Sequence, residues 1–373
     1  MIYLDNAATS HPKPKAVNRC VQNALRKYGN PGRSGHRLSV EAEEKIYATR
    51  EAVCSFFHAG QPERVIFTLN ATHALNLALG VLYRRGDHIL ISDLEHNAVL
   101  RPVYQLYQRG EVTYGIFSHK GDVIENLRQA RREQTRIVMC CEASNVSGHA
   151  MPIKEIGDYC RENGMHLIVD GAQGAGHLHT DLSKMHCSAY CASGHKGLLG
   201  MQGCGFCLFG TDRFERDFIC GGTGSESFLP HMPESLPDRF EAGTCATPAI
   251  LSLEAGISAL RKNAQRHVAM VQLTARLYDG LSGVRGLHLV SERDNQCGIV
   301  SFYAEGAKHL QLCNGLQSRG FCLRSGYHCA PLAHKTLHTD AQGCLRASLG
   351  IYSKPWEVER LLKETERLLR SAQ

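Results

Sequence analysis

An acid, a lysine and a thiol lie where they could do chemistry in this sequence. Asp170 ends the apolar run His166-Leu167-Ile168-Val169 and leads into Gly171-Ala172-Gln173-Gly174, the place where an open α/β sheet presents its ligands. A carboxylate there can hold a protonated pyridine nitrogen. Further along, Ser193-Gly194-His195-Lys196-Gly197 is a small-residue loop that groups an amine, a hydroxyl and an imidazole. The amine of Lys196 can form a Schiff base with an aldehyde, while Ser193 and His195 can hold a phosphate. Taken singly, Asp170 reads more readily as a helix cap and Lys196 as a solvated surface charge; their order along alternating strands and helices is what joins them. Cys329 lies in Arg324-Ser325-Gly326-Tyr327-His328-Cys329-Ala330. Beside a histidine in a glycine-containing loop a thiol can be exposed and partly ionised, and the thiolate is the form that attacks sulfur. By composition alone, any one of sixteen cysteines is more often buried and inert.

The elements that position these groups are legible between about residues 60 and 210. There, short apolar runs alternate with amphipathic stretches, the pattern of a parallel sheet covered by helices. Arg64-Val65-Ile66-Phe67, His88-Ile89-Leu90-Ile91, Arg136-Ile137-Val138-Met139 and His166-Leu167-Ile168-Val169 are the expected strands. A crossover helix is expected from Pro152 to Gly164, with Ile153, Ile156 and Cys160 on one face. After about residue 250 the pattern becomes a smaller α+β region that includes Gly298-Ile299-Val300-Ser301-Phe302-Tyr303. It ends in a helix capped by Ser353 and opened by Pro355, with Val358, Leu361, Leu362, Thr365, Leu368 and Leu369 on its apolar stripe. The expected division is 15–250 for a large domain and 1–14 with 251–373 for a small one. Gly221-Gly222-Thr223-Gly224-Ser225 reads as a surface loop.

With 373 residues and 43% hydrophobic content the chain can bury a large core. No run approaches the roughly 18 apolar residues of a membrane span, and the first residues carry no export pattern. The sixteen cysteines are therefore expected as reduced thiols in a cytoplasmic protein. A net charge of +6, from 42 basic and 36 acidic residues, without runs of like charge, gives no nucleic-acid footprint. Cys204-Gly205-Phe206-Cys207 has metal-like spacing but no second pair, and Cys140-Cys141 reads as packing, so no metal site is expected.

In this order the segments resemble the class V aminotransferase family and, within it, the cysteine desulfurases and selenocysteine lyases. The resemblance spans nearly the whole chain. Tyr3-Leu4-Asp5-Asn6-Ala7-Ala8-Thr9 is similar to the family's N-terminal segment, and Asn30-Pro31-Gly32-Arg33-Ser34-Gly35-His36 to the substrate-side loop that follows, implicating His36. Ala71-Thr72-His73-Ala74-Leu75-Asn76 resembles the phosphate-binding turn, where Ala71, Thr72 and helix-start amides would face the phosphate. Leu94-Glu95-His96-Asn97-Ala98 resembles the segment whose histidine stacks on the pyridine ring, so His96 inherits that role. Asn145, in Ser144-Asn145-Val146-Ser147-Gly148, and Gln173 would reach the ring hydroxyl side. Arg239-Phe240-Glu241-Ala242-Gly243-Thr244 resembles the segment that crosses to a partner's phosphate, so Thr244 implies a homodimer.

The segment Arg324–Ala330 resembles the Arg-x-Gly-x-His-Cys-Ala signature of the second group of cysteine desulfurases. Cys344-Leu345-Arg346-Ala347-Ser348-Leu349 resembles the strand whose arginine grips the substrate carboxylate, a geometry a guanidinium suits; a plain strand-end arginine is the alternative. The resemblance implies a fold-type I enzyme with a mainly parallel seven-stranded sheet and a smaller α+β C-terminal domain. It implies pyridoxal 5'-phosphate on Lys196, Arg346 and Arg324 on the substrate, and Cys329 as a persulfide carrier. The substrate would be L-cysteine or L-selenocysteine, and the product L-alanine with sulfur or selenium passed to an acceptor protein.

Several positions depart from the family pattern. Tyr327 precedes His328 where a second histidine is common, and Pro331-Leu332-Ala333-His334 replaces Gln-Pro. Ala71 replaces a threonine, Cys245 replaces a proline, and an interface hairpin near 220–240 is expected to be missing. Another lyase, epimerase or aminotransferase activity on a different amino acid, or a persulfide-carrying protein without turnover, are the rival expectations.

Overall fold

Val65-Ile66-Phe67 and Leu167-Ile168-Val169 are apolar at consecutive rather than alternate positions, so the strands they form need cover on both faces. The computed structural model, which describes residues 1–32 and 34–370, gives them that cover. Its strands, in chain order, are β1 Ile2–Tyr3, β2 Val65–Thr68, β3 His88–Ser92, β4 Thr113–Phe117, β5 Thr135–Cys141, β6 His166–Asp170, β7 Ala189–Ser193, β8 Gly205–Phe209, β9 Leu287–Leu289, β10 Ile299–Ala304, β11 Phe321–Cys322, β12 Arg324–Gly326 and β13 Cys344–Ser348. Seven form one sheet in the order β2-β8-β7-β6-β5-β3-β4. Every pairing is parallel except those of β8, which runs antiparallel to both neighbours. Strands β2, β3, β7 and β8 are buried throughout, whereas the edge strand β4 is exposed at Thr113 and Ile116 and buried only at Phe117.

Two apolar cores, one on each face, sandwich this sheet. The helix Ile153–Glu162 illustrates how the faces are covered: Ile153, Ile156 and Cys160 are buried as their spacing predicts. Gly164, just past its end, takes the positive φ of 64° that glycine adopts without a steric penalty. From β3 the chain goes to one side for β4 and to the other for β5, so the carboxyl ends of β3 and β5 flank a topological switch point.

The C-terminal part carries a four-stranded antiparallel sheet, β12-β13-β10-β9, while β1 pairs with β11. A third core joins Ile2 and Leu4 to Val300, Phe302, Leu345 and Leu361. The last helix spans Pro355–Arg370 and buries Val358, Leu361, Thr365 and Leu369. Its start differs from expectation, because the Ser353 hydroxyl accepts the Gly350 amide at 3.0 Å and Glu357 instead accepts the Lys354 amide at 2.7 Å. A longer acid one turn in reaches the free amide that Ser353, already turned back, does not. Position 250 lies inside the helix Thr247–Lys262, whose Ala249, Leu253 and Ile257 share the core of the large sheet. A boundary near 250 therefore cuts a helix: Pro248 opens that helix rather than ending a domain, and the sequence marked only where the pattern changed.

Candidate active site

The ends of five strands, β2, β3, β5, β6 and β7, converge on one cavity of about 280 Å³, lined by Ala71, Thr72, His96, Asn145, Asp170, Gln173, Ser193, His195 and Lys196 among others. Asp170 is the last residue of β6 and Ser193 the last of β7, so parallel pairing alone brings them to the same edge. Past β7 the chain turns sharply to present Lys196, and two glycines make that turn possible. A Cβ on Gly197 would stand 2.3 Å from the Ala175 carbonyl oxygen and 2.8 Å from the His177 ring. Gly176, at φ 83°, fills the opposing position, where a Cβ would meet the Gly197 backbone at 2.6 Å. The His195 carbonyl is tied down by the Ser10 amide at 3.1 Å and the Lys13 ammonium at 2.7 Å.

The electrostatics suit a charged guest. Burial, aided by Arg346 and Arg324, lowers the Lys196 ammonium to about 8, against the opposing pull of Asp170. No described hydrogen bond uses its Nζ. Burial pushes the Asp170 carboxyl up, while the Ala172 amide, at 2.9 Å, and Lys196 hold it down. Burial, with Lys196 nearby, holds His96 and His195 down to about 4, so both rings are neutral. His96 caps the helix Asn97–Gln108 by accepting the Ala98 amide at Nδ1, at 3.0 Å; its proton therefore sits on Nε2.

At the other end of the cavity begins the helix Ala71–Leu82. The Ala71 amide, expected to face a phosphate, is instead taken by the Ser193 hydroxyl oxygen at 3.0 Å. Ser193 remains free to donate its own proton. Asn70 takes the His73 amide at 3.0 Å, and Thr72 is exposed beside them. The Nδ1 of His195 is buried without a partner.

A second group of residues abuts the cavity. Arg346, only 1% exposed, donates to the Asn145 carbonyl at 2.8 Å and to Asp5 at 3.1 Å, and its Nε has no partner. It is a buried guanidinium rather than a plain strand-end arginine. Arg324 lies directly across the β12–β13 ladder from it. Asn145 donates from Nδ2 to the His328 carbonyl at 2.8 Å, and Cys329 accepts the Asn97 amide at 2.7 Å. The Cys329 loop is thus bonded to two segments that wall the Lys196 cavity. His328 and Cys329 hold consecutive positive φ values of 48° and 57°, a costly backbone shape for side chains of this size. Burial holds His328 down to about 2. All sixteen cysteines are free thiols, and only Cys220 and Cys329 are exposed, so Cys329 is not one of the inert buried set. Cys140, Cys141, Cys204 and Cys207 are buried.

Two expected residues lie elsewhere. Thr244 is exposed and lines a separate cavity with Asn30, Pro31 and Gly32. Its segment is anchored by Glu241, which binds Arg50 at 2.8 Å and the Phe67 amide at 2.5 Å. His36 is exposed and caps the helix Arg37–Phe56, accepting the Ser39 amide at 3.3 Å. Neither lines the Lys196 cavity of its own chain. Arg33, in the same loop motif, lies outside the described residues. Residues 211–237 contain no strand.

Sequence reasoning missed Glu95 and Glu142, buried acids close to Asp170 that burial pushes up to about 8 and about 7. Glu142 receives the Tyr190 and Thr180 hydroxyls, each at 2.6 Å. It also missed Asp5 as the partner of Arg346. An acid after an apolar strand carries no mark of what it will face.

The whole arrangement fits pyridoxal phosphate. A buried carboxylate with one amide bond needs a cation opposite it, as a pyridinium is. The unpartnered His195 nitrogen, the free Ser193 proton and the start of a helix make a phosphate cradle, and Lys196 is an uncommitted amine beside both. The chain belongs to the aminotransferase class-V family, whose model matches residues 2–361. It is 34% identical to a probable cysteine desulfurase of Pseudomonas aeruginosa, over 99% of this chain and 94% of that protein. It is 31% identical to another from Methanothermobacter thermautotrophicus, over 98% and 93%. Its fold superposes on the apo structure of a cysteine desulfurase from Thermococcus onnurineus with a TM-score of 0.88, at 29% identity and covering 99% of this chain and 95% of that one.

Proposed function

We propose that this protein is a pyridoxal-phosphate-dependent cysteine desulfurase that converts L-cysteine to L-alanine and keeps the sulfur as a persulfide on Cys329. One observation carries the reading: the sole exposed cysteine besides Cys220 sits on a loop hydrogen-bonded to the walls of the Lys196–Asp170 cavity. Lys196 would hold the cofactor covalently, Asp170 its ring nitrogen, His96 its ring face, Asn145 and Gln173 its hydroxyl side, and Thr72, Ser193 and His195 its phosphate. Bound there, the cofactor supplies the electron sink that makes the substrate's α proton removable.

The chain's own groups do the rest. Arg346, with Arg324 beside it, grips the substrate carboxylate in place of Asp5. Lys196, lowered to about 8 by burial, has an amine that accepts the α proton at Nζ near neutral pH. The Cys329 thiolate attacks the substrate sulfur: an S–S bond forms, the Cβ–S bond breaks, and the released three-carbon fragment takes a proton to become alanine. Lys196, which then carries the α proton as an ammonium, can return it, while the neutral His96 Nε2–H can donate a hydrogen bond without giving up its proton.

The separate cavity that holds Thr244 supports a homodimer in which Thr244 and the His36 loop complete the partner's site. Ile219, Phe228 and Leu229 are exposed apolar side chains on the adjoining stretch, of the kind a partner covers. No helix among the described residues is long and apolar enough to cross a membrane; a cytoplasmic location and an acceptor protein for the sulfur belong to the proposed reading. A selenocysteine lyase uses the same groups, with a weaker carbon–selenium bond that needs less from Cys329. The test is purified protein with pyridoxal phosphate, given L-cysteine or L-selenocysteine, scored for alanine and for sulfide or selenide. Alanine from neither substrate would exclude both readings.

A further inference from the structure

Behind the Cys329 loop, three side chains that the chemistry above does not employ as reactants converge. His328 lies on the loop, His334 in the short helix Pro331–Thr336, and Cys344 at the start of β13. Their exposures are 4%, 0% and 0%, and one potential donor atom from each lies within 4.8 Å of the other two. The His328 Nε2 is 3.4 Å from the Cys344 sulfur. A tetrahedral zinc ion bound at ~2.3 Å to sulfur and ~2.0–2.1 Å to nitrogen would set that edge at about 3.6 Å.

His334 is also turned as a ligand is turned. His334 is held at Nδ1 by the Thr339 hydroxyl at 2.6 Å, and that hydroxyl lies 3.5 Å from the His334 carbonyl oxygen, to which it can donate. When Thr339 donates to that carbonyl it accepts from Nδ1, and the lone pair on Nε2 is bare. Fixing one ring nitrogen so that the other is free is how a metal-binding imidazole is oriented. That Nε2 is fully buried and has no hydrogen-bond partner. Buried polar atoms are rarely left so without a reason.

We propose that His328, His334 and Cys344 form a binding site for a divalent cation of the zinc class, with water in the fourth position. Two imidazoles and one thiolate match the borderline-soft preference of that class and disfavour magnesium or calcium. The ion joins the Cys329 loop, the helix behind it and β13. It thereby holds His328, and through it Cys329, in the consecutive positive-φ backbone described above. Cys329 itself is exposed and lies outside the trio, so the site supports the loop without consuming its thiol. The inference stands on these three side chains and does not depend on the sulfur chemistry proposed above.

The test is metal retention by the holoenzyme, stripped with a chelator, supplied with one equivalent of zinc chloride and washed. One zinc per chain is expected in the wild type and in Cys329→Ser, with at least a tenfold loss of affinity in Cys344→Ser and in His334→Ala. Zinc-edge X-ray absorption on the wild type reads the ligands directly and needs no variant to fold. It should show one sulfur at ~2.3 Å and two nitrogens at ~2.0–2.1 Å. No retained zinc, a shell with no sulfur or with several, or equal retention by folded Cys344→Ser would each overturn the proposal.

Discussion

Replacing Arg346 by lysine keeps the positive charge and removes the fork. In the structure the guanidinium spends one nitrogen on the Asn145 carbonyl at 2.8 Å and another on Asp5 at 3.1 Å, with Nε spare. Asp5 is a carboxylate paired with the guanidinium, the position the proposed clamp assigns to the substrate carboxylate. A lysine ammonium can keep one of these contacts but cannot meet a carboxylate with two parallel bonds while still holding Asn145. Losing one charge-assisted hydrogen bond costs about 1.5–3 kcal/mol, which is about 10–150-fold in kcat/KM at ~1.4 kcal/mol per tenfold. Because the carboxylate stays gripped from binding through reaction, most of the loss should fall on KM, with kcat nearly unchanged. The assay is alanine formation at varied L-cysteine, with the cofactor absorbance as a check that the site is loaded. Cysteamine, which has the same amine and thiol but no carboxylate, is the control: wild type and variant should bind it equally poorly. A KM for L-cysteine within twofold of wild type, or an equal loss on cysteamine, would refute the clamp.

Cys329→Ala should keep the cofactor absorbance and lose desulfurase turnover, whereas Lys196→Ala should lose the absorption band of lysine-bound cofactor; full turnover by the first would exclude the persulfide. Gly197→Ala forces a Cβ to 2.3 Å from the Ala175 carbonyl; overpacking of that kind costs about 1–3 kcal/mol and should shift Lys196, so lowered Tm together with weakened cofactor loading is expected in melting and absorbance measurements. His96 and His195 are held down to about 4 in the fold, below their unfolded value of about 6.5. With His177, also at about 4, and His328, at about 2, four buried histidines bind more protons unfolded than folded below about 6.5; they outnumber the raised acids Glu95, Glu142 and Asp170, which act in the opposite sense, so the apoenzyme should lose stability as pH falls from about 6.5 toward about 4. A denaturant midpoint that stays flat across that window would contradict it.

The core of this site was legible because its parts are local. Asp170 follows its strand directly, the lysine loop is a run of small residues with Lys196 inside it, and Cys329 neighbours the histidine and glycine of its motif. Parallel strands then bring such strand ends to one edge whatever lies between them. What was not legible depends on which chains cross where. Ala71 loses its amide to Ser193 from another strand, and Arg346 is buried against Asp5 from the far end of the chain. Glu95 and Glu142 gather around Asp170 for the same reason. Ser353 fails to cap because its hydroxyl finds a nearer amide.

By itself, then, the sequence determined the alternation of strands and helices, the apolar faces that cover the sheet, and the identity of the amine, acid and thiol. These follow from periodicity and from side-chain chemistry, which act over a few residues. Tertiary structure alone decided that Cys329 is exposed while fourteen other cysteines are not, that its loop is bonded to the walls of the Lys196 cavity, and that His328, His334 and Cys344 meet behind it. Those outcomes are set by close packing between segments far apart in the chain, and no local pattern encodes a neighbour that arrives from elsewhere.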